Sequence, residues 1–178
     1  MPRLTAIATK DQLPAEAHAI FDTIAESRGT VRGPFAVLLH SPELAARTAH
    51  LGAFVRFESS VPDAIRELAV LTGAHIWRCE YEWAAHLPLA ARLGVRAEAI
   101  EAIARDADLD AFTEQEALIV RYTRALLGEH RVDTATFEAV RAAYGDRALV
   151  ELTTALGYYS MLAVMLNAAE VAPPATGG

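Results

Sequence analysis

Three chemically capable side chains fall in one short segment, Arg78-Cys79-Glu80-Tyr81-Glu82-Trp83-Ala84-Ala85-His86. On a helix, Cys79, Glu82 and His86 stand at i, i+3 and i+7, a spacing that gathers them on one face. A thiol, a carboxylate and an imidazole are the groups used for nucleophilic and acid–base work. The same spacing also fits a solvated Glu82–His86 pair and a small buried hydrophobe at Cys79. If Cys79 begins the helix, the positive helix end favours its thiolate, while Glu80 and Glu82 oppose it by repulsion. Glu67 with Glu82 and His86 makes a two-carboxylate, one-histidine set of the kind that holds a divalent metal. The reading preferred here is a proton network, with no metal and no cofactor. His75, four residues before Cys79, can share that face. Tyr81 and Trp83 are candidates to line a pocket beside it, and Trp77 is a further aromatic in the same stretch.

The elements that must position these groups are marked by helix punctuation. Pro14 opens a first helix with apolar Ala17, Ile20, Phe21 and Ile24, and Gly29 closes it. Gly33 and Pro34 precede a short apolar run, 35–39. Ser41-Pro42-Glu43 reads as an N-cap hydroxyl, a first-turn proline and an acid at the positive helix end, opening a helix to about Phe57. Pro62 and Asp63 open a pattern with Ile65, Leu68 and Leu71 on one face and Gly94 at its end. Residues 63–93 are long for one helix, so a break or kink is expected near Arg78. A short helix covers 97–104. Thr113 and Glu116 form a capping box that starts a helix to about Leu127. Asp133 starts another that closes near Gly145, and Asp146 starts the last, which ends before Pro173-Pro174. The tail beyond is expected to be loose.

The chain has 178 residues, 53% of them hydrophobic and 22% charged, enough apolar material for a core. Alanine and leucine dominate and β-branched runs are scarce, which favours helix. The expectation is an all-α, compact multi-helix domain of seven or eight helices spanning 1–178. The net charge of −7, with scattered arginines and almost no lysine, is the wrong footprint for nucleic acid. A single cysteine excludes an internal disulfide and a multi-cysteine zinc site and suits a reducing compartment. The N-terminus has no apolar h-region. These features predict a cytoplasmic protein. The uncharged stretch 152–169 approaches the length of a membrane span, but Thr153, Thr154, Tyr158, Tyr159, Ser160 and Asn167 interrupt it. It reads as a buried helix, with Tyr158 and Tyr159 as interface candidates.

Glu67, Cys79 twelve residues on and His86 seven after that resemble the core motif of alkylhydroperoxidase D. The segment Cys-Glu-Tyr-Glu-Trp-Ala-Ala-His is similar to members of the wider carboxymuconolactone decarboxylase-like family. Arg66-Glu67-Leu68-Ala69-Val70-Leu71 before it and Gly94-Val95 after it fit as well, over about residues 34–127. The resemblance implies an all-α fold of the alkylhydroperoxidase D-like type that assembles into homo-oligomers, trimers or hexamers. Carried over by position, Glu67 matches the relay glutamate, Cys79 the first cysteine of a Cys-x-x-Cys pair and His86 the relay histidine. Glu82 occupies the second cysteine position, so oxidised Cys79 has no partner thiol with which to close a disulfide. The leading expectation is therefore acid–base chemistry, decarboxylation or proton transfer, on a small organic acid or lactone. In it Glu67 and His86 are the proton-transfer pair, Glu82 is a second carboxylate and Cys79 lines the pocket. The alternatives are a thiol-dependent peroxidase of peroxiredoxin type using Cys79 alone, and a non-catalytic oligomer that binds a small molecule. Neither Arg66 nor Arg78 stands out as a carboxylate clamp.

Overall fold

The computed structural model describes residues 2–174; the tail at 175–178 lies outside the described residues. Eight α-helices and no strand are found among them. The helices are α1 His18–Arg28, α2 Pro34–Leu38, α3 Pro42–Ala53, α4 Asp63–Ile76, α5 Glu80–Arg92, α6 Ala97–Ala104, α7 Glu114–Gly128 and α8 Thr134–Ala169. Most boundaries follow the sequence punctuation. The capping box at Thr113 and Glu116 forms, the hydroxyl and the carboxylate each taking one free backbone N–H. Gly29 ends α1. Gly145 (φ 82, ψ 167) breaks the helical path inside α8 where the sequence placed a boundary. Ser41 departs from expectation: it precedes α3, but its side chain makes no capping bond. The last turn of that segment, Phe54–Glu58, widens into a π-helix.

α4 is the central element. It packs against α5, α6, α7 and α8, and every residue from Ile65 through Ala74 is buried. The sequence pattern showed one apolar face. Burial on all faces arises because neighbours surround the helix, and it brings two ionisable residues, Arg66 and Glu67, into the interior. One apolar cluster joins α4, α6, α7 and α8 through Leu68, Leu71, Ile103, Ile119 and Leu152. A second joins α1–α3 to α8 through Ile24, Phe35, Leu39, Val55 and Leu162. By length and composition α8 passes for a membrane span, yet half of its apolar window is buried against the rest of the chain. That burial agrees with its reading as a core helix.

The connection into α4 is held by Glu151 of α8. Its carboxylate accepts from the Ser60 backbone N–H and from the hydroxyls of Ser59 (3.0 Å) and Ser60 (2.8 Å), and from Arg147 Nε at 2.7 Å. Burial opposes the charge, but Arg147 and the two serines outweigh it and hold the carboxyl at about 2. A depressed carboxyl contributes stability that is present above its unfolded value near 4.5 and lost as pH falls through about 2. Glu151→Ala is expected to cost about 2 kcal/mol at pH 7, since hydrogen bonds to a charged group are lost. Urea unfolding checks this, and the deficit should shrink as the pH is lowered below 4.5.

Candidate active site

Ile76 ends α4, and the chain reverses through Trp77, Arg78 and Cys79. Arg78 takes a left-handed conformation (φ 49), uncommon for a residue with a side chain. This is the break expected near that position, and its geometry folds α5 back along α4. Glu67 and His86, nineteen residues apart, meet: His86 Nδ1–H donates to Glu67 Oε2 at 2.7 Å. On the other side of the ring, His86 Nε2 lies 3.3 Å from Oε2 of Glu82. The imidazole is thus seated between two carboxylates, with Glu67 1% and Glu82 3% exposed.

Burial, the largest influence, disfavours the imidazolium. The hydrogen bond to Glu67 and then the contact with Glu82 outweigh it and raise His86 to about 9. His86 therefore carries a proton at neutral pH, and both ring nitrogens donate. The sequence reading has Glu80 and Glu82 opposing the Cys79 thiolate by like-charge repulsion. That holds for the Cys79 thiol, but His86 stands between the two carboxylates, and there their negative charge stabilises a cation. Arg66, also buried, places Nε 3.6 Å from Glu67 Oε1 and pairs with Asp63 at 2.8 Å. It thus links the buried Glu67–His86 pair to Asp63 at the start of α4.

The relay opens on a cavity of about 190 Å³ lined by Arg28, Arg32, Arg56, Tyr81, Glu82, His86, Tyr158 and Tyr159, among others. Tyr159 meets the His86 ring edge-on, centroids 4.8 Å apart, and Tyr158 meets Tyr159 likewise at 5.2 Å. Burial, then the Glu67 charge, pushes the Tyr159 phenol well above its ordinary range, so it stays protonated. Sequence reading missed these two tyrosines as site residues and missed the arginines of α1 and the π-turn. They stand 30 to 73 positions from His86 in the chain, and no local spacing ties them to it.

The remaining predicted residues separate from this cavity. Cys79 precedes α5 as its N-cap and so does not share a helix face with Glu82 and His86. It borders a different, larger cavity of about 690 Å³ with His75, Arg78, Glu80, Trp83 and Asp106. His75 Nε2 bonds Asp106 Oδ1 at 2.9 Å, and the His75 ring lies 6.0 Å from Trp83. Of the three candidate substrate-binding residues, Tyr81 lines the His86 cavity, whereas His75 and Trp83 line the other. The cause is geometric: α5 separates the two openings, and Tyr81 and Trp83 leave it on different sides. The Cys79 thiol is 1% exposed. Burial raises its pKa, and the backbone N–H groups of Glu82 and Tyr81 do not offset burial and the charges of Glu82 and Glu80. Among the described residues no group of three His, Cys, Asp or Glu side chains is arranged to hold a metal ion.

The all-helical frame that brings His86 to Glu67 is similar in fold to an alkylhydroperoxidase AhpD core. Residues 42–125, just under half of the chain, match the sequence model of the Carboxymuconolactone decarboxylase family. Solved structures share the fold over nearly the whole chain. A peroxidase-related protein of Ralstonia eutropha JMP134 with an alkylhydroperoxidase AhpD core has 18% identity and a TM-score of 0.77, covering 98% of this chain and 93% of that one. A peroxidase-related protein of Silicibacter sp. TM1040 has 20% identity and a TM-score of 0.75, covering 98% and 92%. The debrominase Bmp8 has 16% identity and a TM-score of 0.75, covering 97% and 92%. None of the curated proteins compared with the chain matches it.

Proposed function

We propose that the protein is an enzyme of acid–base type, acting by decarboxylation or proton transfer on a small organic acid or lactone. The observation that carries this reading is the His86 imidazolium held between Glu67 and Glu82 at the wall of a small cavity. In this reading His86 is the proton donor to the substrate carbon or oxygen, Glu67 keeps it charged and oriented, and Glu82 takes or returns a proton at the cavity face. The cavity is smaller than the roughly 300–1,000 Å³ usual for drug-sized ligands, which suits a small substrate.

Thiol chemistry at Cys79 ranks second. The fold likeness to peroxidase-related proteins and to a debrominase supports it. The buried, neutral thiol on a separate cavity weighs against it. At pH 7, Cys79 is expected to survive brief dilute peroxide with dimedone present, read as an unchanged intact mass. Rapid sulfenic acid trapping would move the assignment to a one-cysteine peroxidase.

The acid–base reading is tested by following CO₂ release and substrate proton exchange across a panel of small β-keto acids and lactones. Glu82→Gln and His86→Gln should abolish turnover that Cys79→Ser retains. The opposite ranking, or turnover indifferent to all three, sinks the proposal.

We further propose a single-domain cytoplasmic homo-oligomer. The exposed apolar residues Met161 and Val164 of α8, on a stretch without charge from 152 to 169, support a subunit contact there. Sedimentation velocity of the full chain reads the assembly directly.

A further inference from the structure

The His86 cavity gathers positive charge in an otherwise acidic chain. Arg28 ends α1, Arg32 follows in the connection to α2, and Arg56 lies on the π-turn after α3; all three line the cavity. Among the described residues none of them has a carboxylate within 4 Å, whereas the site's own acids already have cationic partners: Glu67 has His86 and Arg66, and Glu82 has His86. The protein as a whole has a formal charge of −7. Three unpaired guanidiniums converging on one concavity are therefore surplus to the internal charge balance.

The same cavity holds buried polar atoms without partners. Arg28 Nε, the Tyr158 hydroxyl and Glu82 Oε1 each lack a hydrogen bond. Tyr158 and Glu82 are 4% and 3% exposed. Buried polar atoms are nearly always satisfied, so such a cluster calls for an occupant. Water could satisfy the hydrogen bonds, but it does not neutralise the guanidiniums. Arg28 is held in place from one side: its guanidinium stacks 3.8 Å over the Phe35 ring. Gly52 leaves the space in which Arg28 and Tyr158 sit, since a Cβ there would lie 2.8 Å from Arg28 Nη2 and overlap the Tyr158 hydroxyl.

The geometry points to Arg28, with Tyr158 beside it and Arg56 and Arg32 flanking, as the anion clamp of this site, taking the carboxylate of a small acid that carries a second, protic group. The carboxylate accepts from the Arg28 fork and the Tyr158 hydroxyl. The protic group donates to Glu82 Oε1, which brings the adjacent carbon to the His86 side of the cavity. The inference rests on the acid–base reading for what happens next, and it narrows the substrate: neutral lactones and neutral hydroperoxides lack the group the clamp needs.

The test uses the full chain and four probes, glycolate, benzoate, the neutral benzamide and inorganic phosphate, with affinity read by isothermal titration calorimetry and Tm shift. Glycolate or benzoate should bind at least tenfold more tightly than benzamide and more tightly than phosphate. Arg28→Gln and Arg56→Gln should each weaken carboxylate binding at least tenfold, while the remote Arg105→Gln leaves it unchanged. Gly52→Ala should act like Arg28→Gln by displacing the clamp. Benzamide or phosphate binding as tightly as the carboxylates, or full affinity in Arg28→Gln, overturns the proposal. So does a changed oligomeric state of Arg28→Gln or Arg56→Gln without ligand, which would assign the arginines to a subunit contact. Carboxylate binding intact beside turnover indifferent to Glu67→Gln would leave the clamp standing and remove the acid–base reading; the reverse pattern would remove the clamp alone.

Discussion

Glu67→Gln is expected to return the His86 titration from about 9 towards the ordinary histidine range and to cut turnover by roughly 10²–10⁴-fold. The substitution keeps an oxygen where Nδ1–H donates, so the ring stays oriented, and removes the charge that holds its proton. Two readouts check it. The pH dependence of the His86 ring signals by NMR gives the titration directly. Turnover that needs the imidazolium should fall as pH rises through about 9 in the parent chain and at lower pH in the variant. The stability consequence has a definite sign. A histidine raised above its unfolded value contributes stability that is fully present below about 6.5 and is lost as pH rises through about 9. The parent should therefore lose stability across that window, and Glu67→Gln should flatten the loss. An unmoved His86 titration in the variant would mean that Glu82 and the surrounding field hold the proton, and Glu67 would lose its role.

Gly33→Ala is expected to cost about 2–4 kcal/mol, combining a strained backbone with an overfilled contact. Gly33 precedes α2 with φ 57 and ψ −128, a conformation open to glycine and costly for any residue with a Cβ. A Cβ built there also overlaps the Tyr81 ring and hydroxyl. Tyr81 lines the His86 cavity, so the loss reaches the site as well as the fold. Urea unfolding measures the cost. Tyr81→Leu in the same chain should recover the packing part and leave the backbone part, which separates the two causes. A variant as stable as the parent would show that the 29–34 connection shifts freely, and Gly33 would then have no bearing on the cavity.

Much of the helical framework was legible in the residues themselves. Prolines at 34, 42 and 62, the Thr113–Glu116 box and the glycines at 29 and 145 act through local backbone preference, so their boundaries survive folding with little change. Ser41 shows the limit even there, since its hydroxyl makes no capping bond to α3. The spacing of Glu67, Cys79 and His86 singled out two residues, Glu67 and His86, that the fold brings within hydrogen-bonding distance.

Whether those residues meet was decided only by the tertiary structure. Successive helical residues are rotated by about 100°, so a one-residue change in a connection turns the whole following face. The left-handed Arg78 sets that angle: it directs Glu82 and His86 towards Glu67 and the N-terminal helices, and leaves Cys79, His75 and Trp83 on the other opening. Arg28, Arg56, Tyr158 and Tyr159 join the site from α1, the π-turn and α8 for the same reason. Periodicity names a face, but only packing chooses what that face touches. In this chain local spacing determined the ionisable types on offer, and the fold of α1 to α3 against α8 determined the charge they confront.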